Sequence, residues 1–193
     1  MQNLQTEQTI YTASTKSAES AESAESEQTA PRSSVNRFAY LAAEAPALRG
    51  ELRGSNEFPS VEGSVFAYRL DGALYLQAEF INLPPDKVFG FHIHDGIICG
   101  TSDGEAFKDA GKHLSLCPDE TWCGRHPYHA GNLAPIFSDS DGYAAMEVYI
   151  GKALISDYSG KPIILHDMPD DFSTQPSGGS GKRIACGIFT EVL

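Results

Sequence analysis

The chain is 193 residues long and 41% hydrophobic, with 26 acidic against 14 basic side chains and a formal net charge of −12 at pH 7. That length supports one good core plus an extra segment, and the acidic balance argues against nucleic acid or an anionic membrane surface as partner, since both demand a basic face. No apolar run is long enough for a transmembrane helix, so no membrane insertion is expected.

Residues 1–36 contain the repeat Ser17-Ala18-Glu19, Ser20-Ala21-Glu22, Ser23-Ala24-Glu25 and almost no large apolar side chain. Such a segment cannot bury enough surface to offset its ordering entropy, so it reads as a disordered tail, either a spacer or a dispensable extension. The remainder, 37–193, reads as one domain. The pattern from Phe38 to Ala47 is ambiguous; the first clear strand spans Ala47 to Arg53. Val65 to Leu70 and Ala73 to Leu83 flank Asp71-Gly72, a type I′ hairpin signal. In the second arm Leu74, Leu76, Ala78 and Phe80 alternate with Tyr75, Gln77 and Glu79, which predicts one buried and one wet face. Pro84-Pro85 ends that arm, and Val88 to His94 forms the next. Asp141-Gly142 separates Leu133 to Ser138 from Tyr143 to Ile150, and Pro162 to His166 and Arg183 to Leu193 complete the set. Eight short strands, polar turns and no convincing helix imply an all-β, antiparallel sandwich or barrel. Asp95 to Asn132 and Asp167 to Lys182 are too long for hairpin turns, and loops of that length in a compact β domain usually carry function.

The histidines are the chemical signal. All six lie between His92 and His166. His92 and His94 share one face of a strand, with Cα atoms ~6.6 Å apart at ~3.3 Å per residue, so two ring nitrogens can reach one ion at ~2.0–2.1 Å. His113, His126, His129 and His166 follow, which is a ligand set for two ions.

Five motifs now stand in order: Gly-Phe-His-Ile-His at 90–94, Gly111-Lys112-His113, His129-Ala130-Gly131-Asn132-Leu133, His166 with Asp170, and Arg183-Ile184-Ala185-Cys186-Gly187. From about residue 46 onward the chain resembles the copper/zinc superoxide dismutases, in a bacterial form with a compact His-Pro-Tyr-His-Ala-Gly zinc loop. The resemblance implies an eight-stranded Greek-key, immunoglobulin-like fold and conversion of superoxide to oxygen and hydrogen peroxide by redox cycling of copper. It implies copper held by His92, His94, His113 and His166, with His113 shared with a zinc ion whose other ligands would be His126, His129 and Asn132. His113 would also leave the reduced copper and carry a proton. Asp170 would tie a copper histidine, His92, to a zinc histidine, His126, and Arg183 would guide superoxide to copper. A homodimer is a further implied possibility. The alternative is a copper- and zinc-binding module of the same fold without dismutase activity.

Position 132 departs from the pattern: the family places an aspartate there, and a neutral amide should weaken zinc. Zinc could instead recruit Asp119 or a thiolate of Cys117 or Cys123, or the site could stay empty. Of the four cysteines, Cys99 and Cys186 match the family's bridge between the long loop and the last strand, while Cys117 and Cys123 are preferred as a second disulfide over free thiols or zinc ligation. No basic n-region followed by an apolar stretch comes after Met1, so the sequence as written reads as cytoplasmic. The disulfides and the resemblance point instead to an extracellular or cell-surface setting.

Overall fold

A computed structural model describes residues 45–70, 72–151 and 153–192. The polar segment 1–36, its boundary at 37 and Asp71 of the first hairpin lie outside the described residues. Strand β1 (Leu48–Gly54) alternates buried Leu48, Gly50 and Leu52 with exposed Arg49, Glu51 and Arg53. β2 (Glu62–Leu70) begins three residues before the apolar pattern does, because polar Glu62, Gly63 and Ser64 are held by ladders on both sides, to β1 and to β3 (Ala73–Ile81). Leu70 pairs with Ala73, and Gly72 takes a φ of 77°, as the expected tight hairpin requires. Leu74, Leu76, Ala78 and Phe80 are buried as their alternation predicted. Tyr75 is not on a wet face, however: it packs across the pair against Tyr68, with Phe66 and Leu70 completing a small outer cluster.

The expected strand at 88–94 divides at Gly90. β4 (Val88–Phe89) pairs with β6 (Ile136–Phe137), whereas β5 (Phe91–Ile93) joins β8 (Pro162–His166). Gly90 makes the crossing possible by donating its N–H to the Met168 carbonyl at 2.7 Å and accepting from the His166 N–H at 2.8 Å. A Cβ there would press on Ser180 and the Met168 carbonyl. β7 (Ala144–Ile150) pairs with β3, a single helical turn α1 (Ile155–Tyr158) precedes β8, and the final expected strand divides at Phe189 into β9 (Arg183–Ile188) and β10 (Thr190–Glu191). Phe189 breaks the run because its side chain is buried and its N–H turns to the Lys161 carbonyl. The eight expected strands are therefore ten among the described residues.

The ladder runs β5-β8-β9-β1-β2-β3-β7, antiparallel at every pairing. It curls into a half-barrel over a core that includes Leu52, Leu76, Phe80, Phe89, Phe91 and Leu165. Phe80 and Phe91 meet edge to face at 5.5 Å, a favoured aromatic geometry that fixes β5 against β3. Where β8 meets β9 the register shifts: Leu165 pairs with Ala185, but His166 pairs with Arg183, leaving Ile184 as an extra residue. The Ile184 carbonyl is taken by the Ser55 N–H at 2.8 Å, and the bulge sets His166 directly opposite Arg183.

Candidate metal centre

Four chain segments deliver the six histidines to one place. His92 lies within β5 and His94 one residue past its end. The long loop returns across this strand: His94 forms a backbone bridge with His113, and His92 with Asn132. Gly131 permits that approach, since its N–H bonds to Leu114, its carbonyl accepts from Ile93, and a Cβ would strike the Ile93 carbonyl. His166 ends β8.

Two groups result, each with its ligand atoms within 4.8 Å of one another: His92, His94, His113 and His166, and His113, His126 and His129. Hydrogen bonds orient the rings. His94 Nδ1 donates to the Gly111 carbonyl at 3.1 Å, and His129 Nε2 to the Gly124 carbonyl at 2.9 Å. Asp170 receives His92 Nε2 at 2.9 Å on one oxygen and His126 Nε2 at 2.8 Å on the other. Asp170 is thus engaged by His92 and His126, and Asp171 beside it by Ser173 and Thr174, so hydrogen bonds account for the grouping of these two carboxylates with His126. Burial alone would push the Asp170 carboxyl up, but N–H donors from His92, Phe172 and His126 outweigh it and hold the group below its ordinary value.

What remains is a set of bare nitrogens. Among the described residues, His92 Nδ1, His113 Nε2, His129 Nδ1 and His166 Nδ1 are buried without a hydrogen-bond partner. Leaving a buried polar atom unsatisfied costs about 1–3 kcal/mol, so four in one cluster mark a place built for something else. His94 Nε2 and His166 Nε2 face one another at 3.4 Å. Every ring of this first group is kept neutral. Burial, with Arg183 second, pushes His94 down to about 3. Burial followed by the neighbouring imidazoles holds His113 and His166 far below the usual histidine range, and burial lowers His92 despite Asp170. Neutral imidazoles with free lone pairs are metal ligands, and this set fits copper.

Arg183 stands at the open side. Its guanidinium donates to the carbonyls of Phe107 at 2.6 Å, Lys108 at 3.0 Å and Gly111 at 2.6 Å, so it is anchored to the loop that carries His113. With His94, His113, His129 and His166 it lines a cavity of about 510 Å³. The Cys99–Cys186 disulfide ties the same loop to β9, with Cα atoms 5.8 Å apart, and Cys117–Cys123 closes a turn within it at 5.7 Å. Both cysteine pairs are bonded, so no thiolate is available to zinc, and Asp119 is paired with Lys112 at 3.6 Å.

Three residues position the rings in ways that no sequence motif states. Gly111 and Gly124 present carbonyls to His94 and His129, and Gln175 clasps the His126 backbone on both sides, donating to its carbonyl at 2.6 Å and accepting its N–H at 3.2 Å. Gly178 is a fourth, of a different kind: its φ is 65°, and a Cβ would run into the Asp170 carboxylate and His126 Nε2. Gly178→Ala is expected to destabilise the protein by about 1–3 kcal/mol and to weaken copper retention by ~10–100-fold, read by thermal unfolding and chelator competition.

Residues 61–189 match the family model described as copper/zinc superoxide dismutase. The chain belongs to the copper/zinc superoxide dismutase family. A Cu-Zn superoxide dismutase of Caulobacter vibrioides is 36% identical over 138 residues, covering 66% of this chain and 77% of that protein. The one from Escherichia coli is 33% identical over 139 residues, covering 66% and 78%. A superoxide dismutase-like protein of Bacillus subtilis is 30% identical over 128 residues, covering 62% and 64%. Among solved structures, a double mutant of a superoxide dismutase-like protein from Bacillus subtilis superposes with a TM-score of 0.57 at 28% identity, over 72% of this chain and 95% of that one. The clock protein EA4 shares the fold, with a TM-score of 0.61 at 21% identity, over 76% and 96%. Family membership implies copper and zinc, and the four-histidine group fits the first of them.

Proposed function

We propose that this chain is an oxidoreductase that converts superoxide to oxygen and hydrogen peroxide, with copper held by His92, His94, His113 and His166. The observation that carries the reading is the convergence of four neutral, buried imidazoles beside a fixed guanidinium on an open cavity. Copper supplies the one-electron redox chemistry when bound. The protein's own groups do the rest. Arg183, fixed by three carbonyls, offers a planar positive donor to a small anion. His113 keeps Nε2 bare toward the four-histidine group, where it would meet the metal. Asp170 fixes the ring of His92 and thereby the direction of Nδ1. The chain carries −12 overall, so attraction of an anion is local to this cavity.

The test is superoxide dismutation by the full chain after copper loading, with copper and zinc measured on the same sample. Turnover that tracks copper content supports the enzyme. One copper per chain without turnover assigns the protein to the metal-binding alternative. The two disulfides favour an oxidising compartment, extracellular or at the cell surface; among the described residues no helix is long and apolar enough to cross a membrane.

A further inference from the structure

The second histidine group has three imidazoles where the first has four, and Asn132 stands in it. The Pro127 carbonyl can only accept, so the Asn132 atom 3.0 Å from it is the amide nitrogen. That same nitrogen lies 2.9 Å from His126 Nδ1, which must therefore accept the second N–H. The amide oxygen, on the other side, faces His113 Nδ1 at 3.0 Å, and an oxygen there requires His113 to donate. The two ring tautomers follow. His126 carries its proton on Nε2, where Asp170 takes it, and His113 carries its proton on Nδ1, leaving Nε2 bare toward the four-histidine group. All four polar bonds are mutually consistent.

A second ion here would meet the wrong donor set. Of its three histidines, His113 presents an N–H, His126 has its lone pair occupied by the amide, and only His129 Nδ1 is free. The fourth position offers an uncharged amide turned nitrogen-first toward His126, whereas zinc sites are built from histidine, thiolate and carboxylate. The residues present do not fit zinc.

We infer that the Asn132 amide takes the place of the second metal ion, clasping His113 and His126 and, through Asp170, steadying His92, so that the centre holds one ion in the four-histidine group. The inference rests on reading that group as a copper site. It makes His113 a neutral imidazole held from behind by a hydrogen bond.

The experiment uses the full chain, stripped of metal, given one equivalent of copper(II), exposed to excess zinc, desalted and analysed for both metals. Expected is one copper and essentially no zinc in the native protein, against one of each in Asn132→Asp, whose zinc affinity by chelator competition should be roughly 100-fold tighter. Cobalt(II) should give the visible bands of a tetrahedral site in Asn132→Asp alone. One tightly held zinc in the native protein, or equal zinc in both, overturns the inference. Loss of copper would instead overturn the copper reading, and the zinc difference between the two proteins would still decide this one. Asn132→Ala supplies an independent test on metal-free protein: losing the clasp should lower Tm by roughly 5–10 °C, and an unchanged Tm overturns it.

Discussion

Replacing His166 with alanine is expected to abolish copper-dependent superoxide turnover while leaving the ladder folded. His166 is buried at the end of β8 with Nε2 facing His94 Nε2, so its removal takes one imidazole from the copper set without touching the pairing of Pro162 to Leu165 with β9. Circular dichroism should be unchanged, copper should be lost to a chelator that the native protein resists, and full retained activity would sink the assignment. The metal-free protein gives a second readout. His92, His94, His113 and His166 all have lowered pKa values, so each binds a proton more readily in the unfolded chain. Stability is then complete above about pH 6.5, the ordinary histidine value, and falls as pH drops below it, toward about 3 in the case of His94. Each such histidine contributes up to about 1.4 kcal/mol per pH unit. Metal-free His166→Ala should therefore lose stability less steeply than the native chain in urea unfolding between about pH 6.5 and 4.

Replacing Cys99 and Cys186 together with serine is expected to destabilise the protein by about 4–5 kcal/mol, because the bridge spans a sequence separation of 87 and removes the closure entropy of that loop from the unfolded chain. Thermal unfolding without reductant should show Tm lower by roughly 10–20 °C. The Cys117–Cys123 bridge, with a separation of 6, is worth only about 2.4 kcal/mol in the same treatment. The larger bridge also bears on the site. It anchors the loop whose Phe107, Lys108 and Gly111 carbonyls hold Arg183, so turnover per bound copper should fall in the double variant. A Tm within about 2 °C of the native value would contradict the entropic account.

The histidines were legible because metal ligation demands particular side chains at particular spacings, and no other use of His92-x-His94 with three more histidines in one long loop and a fourth ending a strand is as economical. Asp170 and Arg183 were legible only through the resemblance, since a lone turn aspartate or strand-initiating arginine carries no pattern of its own. Gly111, Gly124 and Gly178 could not be read, because two act through backbone carbonyls and the third through the absence of a side chain. The strand divisions at Gly90 and Phe189 were missed for a related reason: apolar runs continue through both, and only the third dimension shows that the partner changes. Tyr75 was misplaced because alternation says which face a residue is on, while Tyr68 opposite it determines whether that face is wet. The role of Asn132 was visible as a departure, but the direction of its amide depends on the Pro127 carbonyl, which no motif reports.

The extra residue in β9 has a bearing on which small molecules the site can admit. Were Ile184 drawn into a regular ladder and the pairing of Leu165 with Ala185 kept, Ile184 would fall opposite His166 and Arg183 opposite Asp167, on the reverse side of the strand from His166. The placing of positive charge at the cavity therefore depends on the bulge at Ile184 as much as on the guanidinium itself. Straightening that bulge would leave the four histidines in place and carry the guanidinium away from the cavity, so that a chain could keep its metal group and lose the positive donor beside it.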